Sequence, residues 1–135
     1  MANGMYNGAR DGFLLGQIDL EGDQVVAFLI DLDLYTPDLV NHSSLADVPE
    51  GARVAVQTLS GCSVAAGAFD ADDVTWPTVT HSGDVGAVLL AVLKSDDAAS
   101  PLLAVLDEDD SLPFTPAGSD FTITWDNGTN KVFRI

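Results

Sequence analysis

Two acidic runs contain the residue types that hard divalent cations prefer as ligands. The first is FDADD, which contains Asp70, Asp72 and Asp73, and the second is LDEDD at 106–110. Their carboxylate oxygens are suitable ligands for Ca²⁺ or Mg²⁺. The EF-hand pattern is not completed, because Thr75 stands where that loop requires glycine. We favour solvated loop charges over a metal site for both runs, and we expect no cofactor.

The two histidines and the single cysteine are the other residues with reactive side chains. His42 and His81 lie far apart in polar stretches, and neither has another His or Cys at the short spacing of a metal site. The stretch THSGD at 80–84 lacks the Gly-x-Ser-x-Gly elbow of the α/β-hydrolases. Cys62 has no histidine nearby in the sequence, so a small buried hydrophobe is favoured over a nucleophile. These residues predict surface-loop histidines and no enzymatic activity.

Two positions match the Asn-x-Ser/Thr acceptor pattern for N-linked glycosylation. They are Asn41 and Asn127. The pattern predicts surface loops, and it matters only in a host that glycosylates such sites. Whether either asparagine carries a glycan stays open.

The charge balance excludes one class of partner. The chain has 135 residues, with 21 Asp and Glu against five Lys and Arg, for a formal net charge of −16. No cluster of positive charge is present to release counterions from a phosphate backbone, so we expect no nucleic-acid partner. An acidic surface poor in lysine is typical of proteins that work in concentrated salt, where the screening length falls to about 3 Å. We favour this halophilic interpretation over that of an acidic mesophilic protein.

The elements that must position these residues are predicted to be β-strands. Apolar and polar residues alternate in much of the chain, and turn residues recur about every ten positions. The run VGAVLLAVL at 85–93 has no polar residue, which indicates a central strand buried on both faces. It is about half the length of a membrane-spanning helix, so we expect no membrane partner. The pattern predicts one all-β domain over residues 17–135, either a β-sandwich or a small barrel.

Residues 1–16 are predicted to form an N-terminal arm that carries a short helix. Asn3 is a suitable N-cap, and Met5, Ala9 and Phe13 recur at four-residue spacing along one side. Two glycines in this stretch each cost about 1 kcal/mol relative to alanine, so the helix needs a surface to dock on. The arm has no basic region followed by an apolar run, and we therefore expect no secretory signal.

The last fifteen residues, FTITWDNGTNKVFRI, are predicted to form a β-hairpin. Large apolar residues alternate with threonines over 121–125, a second strand covers 131–135, and an Asp-Asn-Gly sequence supplies turn chemistry between them. A two-residue turn sets Ile123 opposite Val132, and a shift of one residue sets Ile123 opposite Phe133. We favour the shifted register, because it collects the large apolar side chains on one face.

Several phrases of the sequence, taken in order, resemble those of a known group of proteins. They are GARDGFLLGQIDL, VVAFLIDLDLYTPDL, HSSLADVPEGARVAVQTLSG, FDADDVTWPTV, SPLLAVLD and FTITWDNGTNKVFRI. In this pattern the chain resembles small virion structural proteins of tailed bacteriophages and of tailed viruses that infect halophilic archaea, of the capsid decoration or accessory type. The resemblance covers nearly the whole chain. It implies a virion component without enzymatic activity, and it supplies no active site.

The resemblance and the residue patterns together predict an oligomeric virion protein. We expect a capsid decoration or turret accessory subunit, whose partners are copies of itself and the major capsid protein or other virion proteins. Met5, Tyr6, Phe13, Leu14 and Leu15 are the candidate assembly interface, because they can pack against an adjacent subunit. The expected location is the virion, with assembly in the host cytoplasm. The acidic outer face would keep particles apart in solution.

Three alternatives stand beside this prediction. A tail or neck position is not separable from a position on the head by these residues. A carbohydrate-binding or receptor-binding β module on a virion spike would use Tyr35, Trp76 and Trp125 as stacking platforms, although burial in the core is favoured for both tryptophans. A small hydrolase with a metal ion in the acidic loops ranks last.

Overall fold

The structure is a computed structural model, and it describes residues 4–107, 111–125 and 131–134. Its strands are β1 (Gly4–Met5), β2 (Val25–Ile30), β3 (Arg53–Thr58), β4 (Ser63–Ala65), β5 (Ala68–Asp70), β6 (Val74–Trp76), β7 (Ala87–Val92), β8 (Leu102–Leu106), β9 (Phe121–Ile123) and β10 (Phe133–Arg134). The helices are α1 (Asn7–Leu14) and three 3₁₀ turns, Leu45–Asp47, Glu50–Ala52 and Asp97–Ala99. None of the helices in these residues is long and apolar enough to cross a membrane. The chain is a small β-rich domain of antiparallel sheets with one short α-helix.

The largest sheet has five antiparallel strands in the order β1-β8-β7-β2-β3. β2 and β7 pair along their full length, with Phe28 opposite Leu89 and Val26 opposite Ala91. Every residue of both strands is buried, which is why their sequences are apolar without alternation. The prediction of a central strand within 85–93 is confirmed.

The N-terminal segment (residues 4–14) belongs to the same core as the rest of the chain. β1 pairs with the outer edge of β8, and the main-chain N–H of Tyr6 donates to the Leu103 oxygen at 3.0 Å. α1 follows directly, so the predicted short helix is confirmed, while the proposed cap Asn3 lies outside the described residues. Gly12 allows α1 to lie close to Ile18, since a Cβ there would lie 2.5 Å from the Ile18 Cδ1 atom and that side chain would have to shift. The segment is therefore docked on its own domain.

Two smaller sheets complete the core. β10, β5 and β4 form a three-stranded sheet, and β6 and β9 form a two-stranded one. Trp76 of β6 is fully buried, and its indole N–H donates to the main-chain oxygen of Ala27 in β2 at 3.1 Å. This bond ties the two-stranded sheet to the centre of the largest sheet.

The predicted C-terminal hairpin is wrong in its pairing. Both of its segments contain a strand, but β9 pairs with β6 and β10 pairs with β5. Trp76 lies opposite Phe121 with the rings stacked at 5.9 Å, and Phe133 lies opposite Phe69 with the ring centres 5.3 Å apart. Alternation marks a strand with one apolar face without naming its neighbour, and these aromatic contacts select neighbours far away in sequence. The proposed turn lies outside the described residues.

Candidate functional site

The first acidic run organises loops. Asp70 accepts a hydrogen bond from the main-chain N–H of the next residue, and Asp72 accepts one from the Ser60 hydroxyl at 3.3 Å. Asp73 accepts the main-chain N–H of Trp125 at 3.0 Å, which holds the end of the β9 segment. Within the described residues, no three His, Cys, Asp or Glu side chains are arranged to hold a metal ion. The last three residues of the second acidic run lie outside those residues.

The five residues predicted as an assembly interface divide into two groups. Met5 and Tyr6 are buried within the same chain, and Phe13 is partly buried against its core. Leu14 and Leu15, at the end of α1, are 85% and 69% exposed. Only these two leucines are available to a neighbouring molecule while the N-terminal segment stays docked.

His81 is paired with a buried carboxylate. Asp31 directly follows the buried strand β2 and is only 4% exposed. Its Oδ2 accepts the Nε2–H of His81 at 2.8 Å, and its Oδ1 accepts the main-chain N–H of Asp33 at 2.9 Å. A Cβ at Gly83 would lie 2.7 Å from Asp31 Oδ2, so the loop approaches the pair only because glycine stands there. The pair anchors the His81 loop to the end of β2.

A cleft of about 370 Å³ opens beside this pair. Its lining consists of Asp31, Leu32, Asp33, Asp84, Gly86, Asp107 and Pro113. The four aspartates make it a site that repels anions. In the described part of the chain the His81 ring bonds to Asp31 alone, so the THSGD stretch supplies no activated hydroxyl there. The geometry suits a structural anchor better than a catalytic dyad.

The other histidine ends a hydrogen-bonded chain that starts in the core. The hydroxyls of Tyr6 and Tyr35 lie 2.7 Å apart, and the Tyr35 hydroxyl lies 3.0 Å from His42 Nδ1. The Tyr35 and His42 rings stack with centres 5.5 Å apart. Tyr6 is fully buried and Tyr35 is 4% exposed. We call these three residues the tyrosine–histidine chain.

The donor and acceptor roles in the tyrosine–histidine chain follow from one main-chain contact. The N–H of Asp38 lies 3.2 Å from His42 Nδ1, and a main-chain N–H can only donate. Nδ1 is therefore an acceptor, and the tautomer assigned to the neutral ring carries its proton on Nε2. The Tyr35 hydroxyl then donates a hydrogen bond to Nδ1 and accepts a hydrogen bond from the Tyr6 hydroxyl.

The burial of both tyrosines shifts their ionisation. Burial raises the pKa of the Tyr6 hydroxyl far above its usual range, and the hydrogen bond to Tyr35 raises it further. Burial also raises the pKa of Tyr35, partly offset by the hydrogen bond from Tyr6. The carboxylates of Asp47 and Asp38 contribute to the raised pKa of each tyrosine.

The two carboxylates near His42 are held by local hydrogen bonds. The side chain and the main-chain N–H of Asn41 donate to Asp38 and lower the pKa of its carboxyl. The main-chain N–H groups of Ser43 and Ser44 lower the pKa of Asp47, with bonds of 2.9 and 3.2 Å to its Oδ2. The positive charge of His42, when that ring is protonated, adds a smaller lowering of the pKa in both cases.

Sequence reasoning located both histidines in loops but did not find their partners. His81 and Asp31 are 50 residues apart, and Tyr6 and Tyr35 are 29 residues apart. The available signal was a carboxyl group, Asp31, placed immediately after six apolar residues of a buried strand. Such a carboxyl requires hydrogen-bond donors when the strand end is buried.

No protein-family model matches the chain, and a search of curated proteins finds no significant match.

Proposed function

We propose that the protein is a non-enzymatic structural subunit of a tailed-virus particle. Its position is that of an oligomeric accessory or decoration protein on the capsid shell, with the neck and the tail as alternative positions. The resemblance of its sequence phrases to small virion proteins supports this role. A sandwich-like packing of the two smaller sheets on the largest one is part of the proposal, supported by the bond from Trp76 to β2.

The observation that carries the proposal is the chemistry of the exposed apolar surface. The large hydrophobic residues exposed in the described part of the chain are all aliphatic: Leu14, Leu15, Leu34, Val40, Val56, Val64 and Leu93. Exposed aliphatic side chains suit contact with another protein. A sugar-binding surface instead needs exposed aromatic rings, and Trp76, Tyr35 and Trp125 are only 0%, 4% and 8% exposed. The carbohydrate-binding alternative therefore has less support.

Leu14 and Leu15 are the strongest candidates for the contact. They are adjacent at the C-terminal end of α1 and strongly exposed, and the helix itself is fixed to the domain through the buried Tyr6 and Ala9. A contact between copies also requires that the net charge of −16 be screened, which concentrated salt does. We expect association through these leucines to strengthen as salt is added.

The test is the solution mass of the full chain by light scattering, from about 0.1 M to about 3 M NaCl. We expect a discrete oligomer at high salt for the natural chain and a monomer for the double variant Leu14→Glu/Leu15→Glu. The double variant Leu34→Glu/Val56→Glu is the matched control, because it adds the same charge at sites that are 53% and 50% exposed. The control should still assemble.

Two results would overturn parts of this proposal. A natural chain that is monomeric at every salt and protein concentration removes self-association. Equal loss of assembly in both double variants removes the specific role of Leu14 and Leu15. The location is tested separately by mass spectrometry of particles from the virus that encodes the chain, and absence from those particles rejects the virion role.

A further inference from the structure

The tyrosine–histidine chain connects two parts of the molecule that are distant in sequence. Tyr6 belongs to the N-terminal segment, and Tyr35 and His42 lie in the loop between β2 and the first 3₁₀ turn. We propose that this chain is an acid-sensitive clasp, in which protonation of His42 releases the N-terminal segment from the domain. The proposal does not depend on the virion role, because it concerns contacts within one molecule.

Few main-chain bonds hold the N-terminal segment besides this clasp. β1 pairs with β8 over only two residues. The N–H of Tyr6 bonds to the Leu103 oxygen at 3.0 Å, and the N–H of Asn7 bonds to the Leu39 oxygen at 2.8 Å. A two-residue edge strand is a weak attachment. The docking therefore depends largely on buried side chains, which are Met5, Tyr6 and Ala9, with the partly buried Phe13 beside them.

Protonation of His42 conflicts with both bonds to Nδ1. An imidazolium has a proton on each ring nitrogen and accepts no hydrogen bond there. The N–H of Asp38, 3.2 Å away, would face another N–H. If Nδ1–H instead donates to the Tyr35 oxygen, the Tyr35 hydroxyl can no longer donate to Nδ1, and one of the two buried tyrosine hydroxyls then has no acceptor within the tyrosine–histidine chain. A buried donor without an acceptor is unfavourable, which favours release of Tyr6.

Two acidic side chains neighbour His42. The carboxylates of Asp38 and Asp47 interact with it electrostatically. Arg10 of α1 is engaged with the Met5 oxygen at 3.2 Å and with the Asn7 side chain at 3.0 Å. Histidine is also the side chain that ordinarily changes charge between about pH 5 and 8. A proton added to His42 would therefore occupy the ring nitrogen at which the clasp needs an acceptor.

Release has a structural consequence for the surface of the protein. Met5 and Tyr6, buried in the docked state, become available together with Leu14 and Leu15 at the end of the same segment. The apolar surface offered to another molecule is then larger in acid than at neutral pH.

Nuclear magnetic resonance relaxation of the full chain tests the clasp between about pH 8 and about pH 5, a range in which most carboxylates stay ionised. We expect backbone order parameters of residues 4–14 to fall from about 0.85 to below about 0.6 as the His42 ring signal titrates. Amides of β2 and β7 should keep their order over the same range. A variant His42→Asn keeps an acceptor near the Nδ1 position without titrating, so its segment should stay ordered throughout.

His81→Gln is the matched control, because it removes the other histidine and keeps a donor to Asp31. Its N-terminal segment should loosen with the same midpoint as in the natural chain. The clasp is wrong if residues 4–14 stay ordered after the His42 ring has taken up its proton. It is equally wrong if His42→Asn loosens at the same pH, or if β2 and β7 lose order together with the segment.

Discussion

His42 and His81 lie in loops of similar composition, but the structure uses them in opposite ways. The Nε2–H of His81 donates to the buried carboxylate of Asp31. His42 instead accepts at Nδ1 from uncharged donors, the Tyr35 hydroxyl and the Asp38 N–H. An added proton leaves the donor of His81 in place and removes the acceptor of His42. Whether the partner accepts or donates a hydrogen bond therefore determines how each histidine responds to an added proton. The composition of the loop does not determine this.

The largest difference between the two sites should appear when each ring is removed. His81→Ala leaves the carboxylate of Asp31, which is 4% exposed, without its side-chain donor. We expect a loss of about 3 kcal/mol in the free energy of unfolding, measured by denaturant titration. His42→Ala should cost about 1 kcal/mol, because it removes a neutral acceptor.

His81→Gln is the control for this comparison, since its amide can still donate to Asp31. Its loss should stay below about 1 kcal/mol. If His81→Ala lowers the free energy of unfolding no more than His42→Ala does, the Asp31–His81 pair is not the stronger of the two anchors.

Alkaline pH should affect the tyrosine–histidine chain and spare the Asp31–His81 pair. Folding raises the pKa of both Tyr6 and Tyr35, so the folded chain keeps protons that the unfolded chain releases above about pH 10. The free energy of unfolding then falls as pH rises, by up to about 1.4 kcal/mol per unit for each tyrosine and by about 2 kcal/mol in total near pH 11. Denaturant titrations across this range measure the fall.

The chain has only two tyrosines, so tyrosinate absorbance reports on this site alone. The folded protein should show less tyrosinate signal near pH 10 than the unfolded chain, and the signal should rise as the protein unfolds. Tyr6→Phe should reduce the alkaline fall in stability. Titration of both hydroxyls at their ordinary pH in the folded protein would contradict their burial.

The smallest expected effect tests which hydroxyl donates and which accepts in the tyrosine–histidine chain. Tyr35→Phe leaves the buried Tyr6 hydroxyl without an acceptor, and should cost about 1–2 kcal/mol. Tyr6→Phe leaves Tyr35 free to donate to His42, and should cost only about 0.5–1 kcal/mol. Denaturant unfolding at neutral pH measures both losses. Equal losses, or the reverse order, would show that the assigned tautomer of His42 is incorrect.

The fold was more predictable than the candidate site. The central strand within 85–93 and the helix within residues 1–16 follow from local apolar patterns, and both are present. The pairing of the C-terminal strands was predicted incorrectly, because two strands close in sequence found aromatic partners elsewhere. The partners of both histidines were not predicted at all, since they are contributed by distant segments.

By itself the sequence determined that the run at 85–93 becomes a strand buried on both faces, that both C-terminal segments contain strands, and that the chain is acidic. These properties are local, because the two-residue repeat of a strand and the charge of a side chain do not depend on distant residues. The tertiary structure decided that Tyr6 meets Tyr35 and that Asp31 meets His81. Those contacts require segments 29 and 50 residues apart to be brought together, and only the packing of the whole core does this.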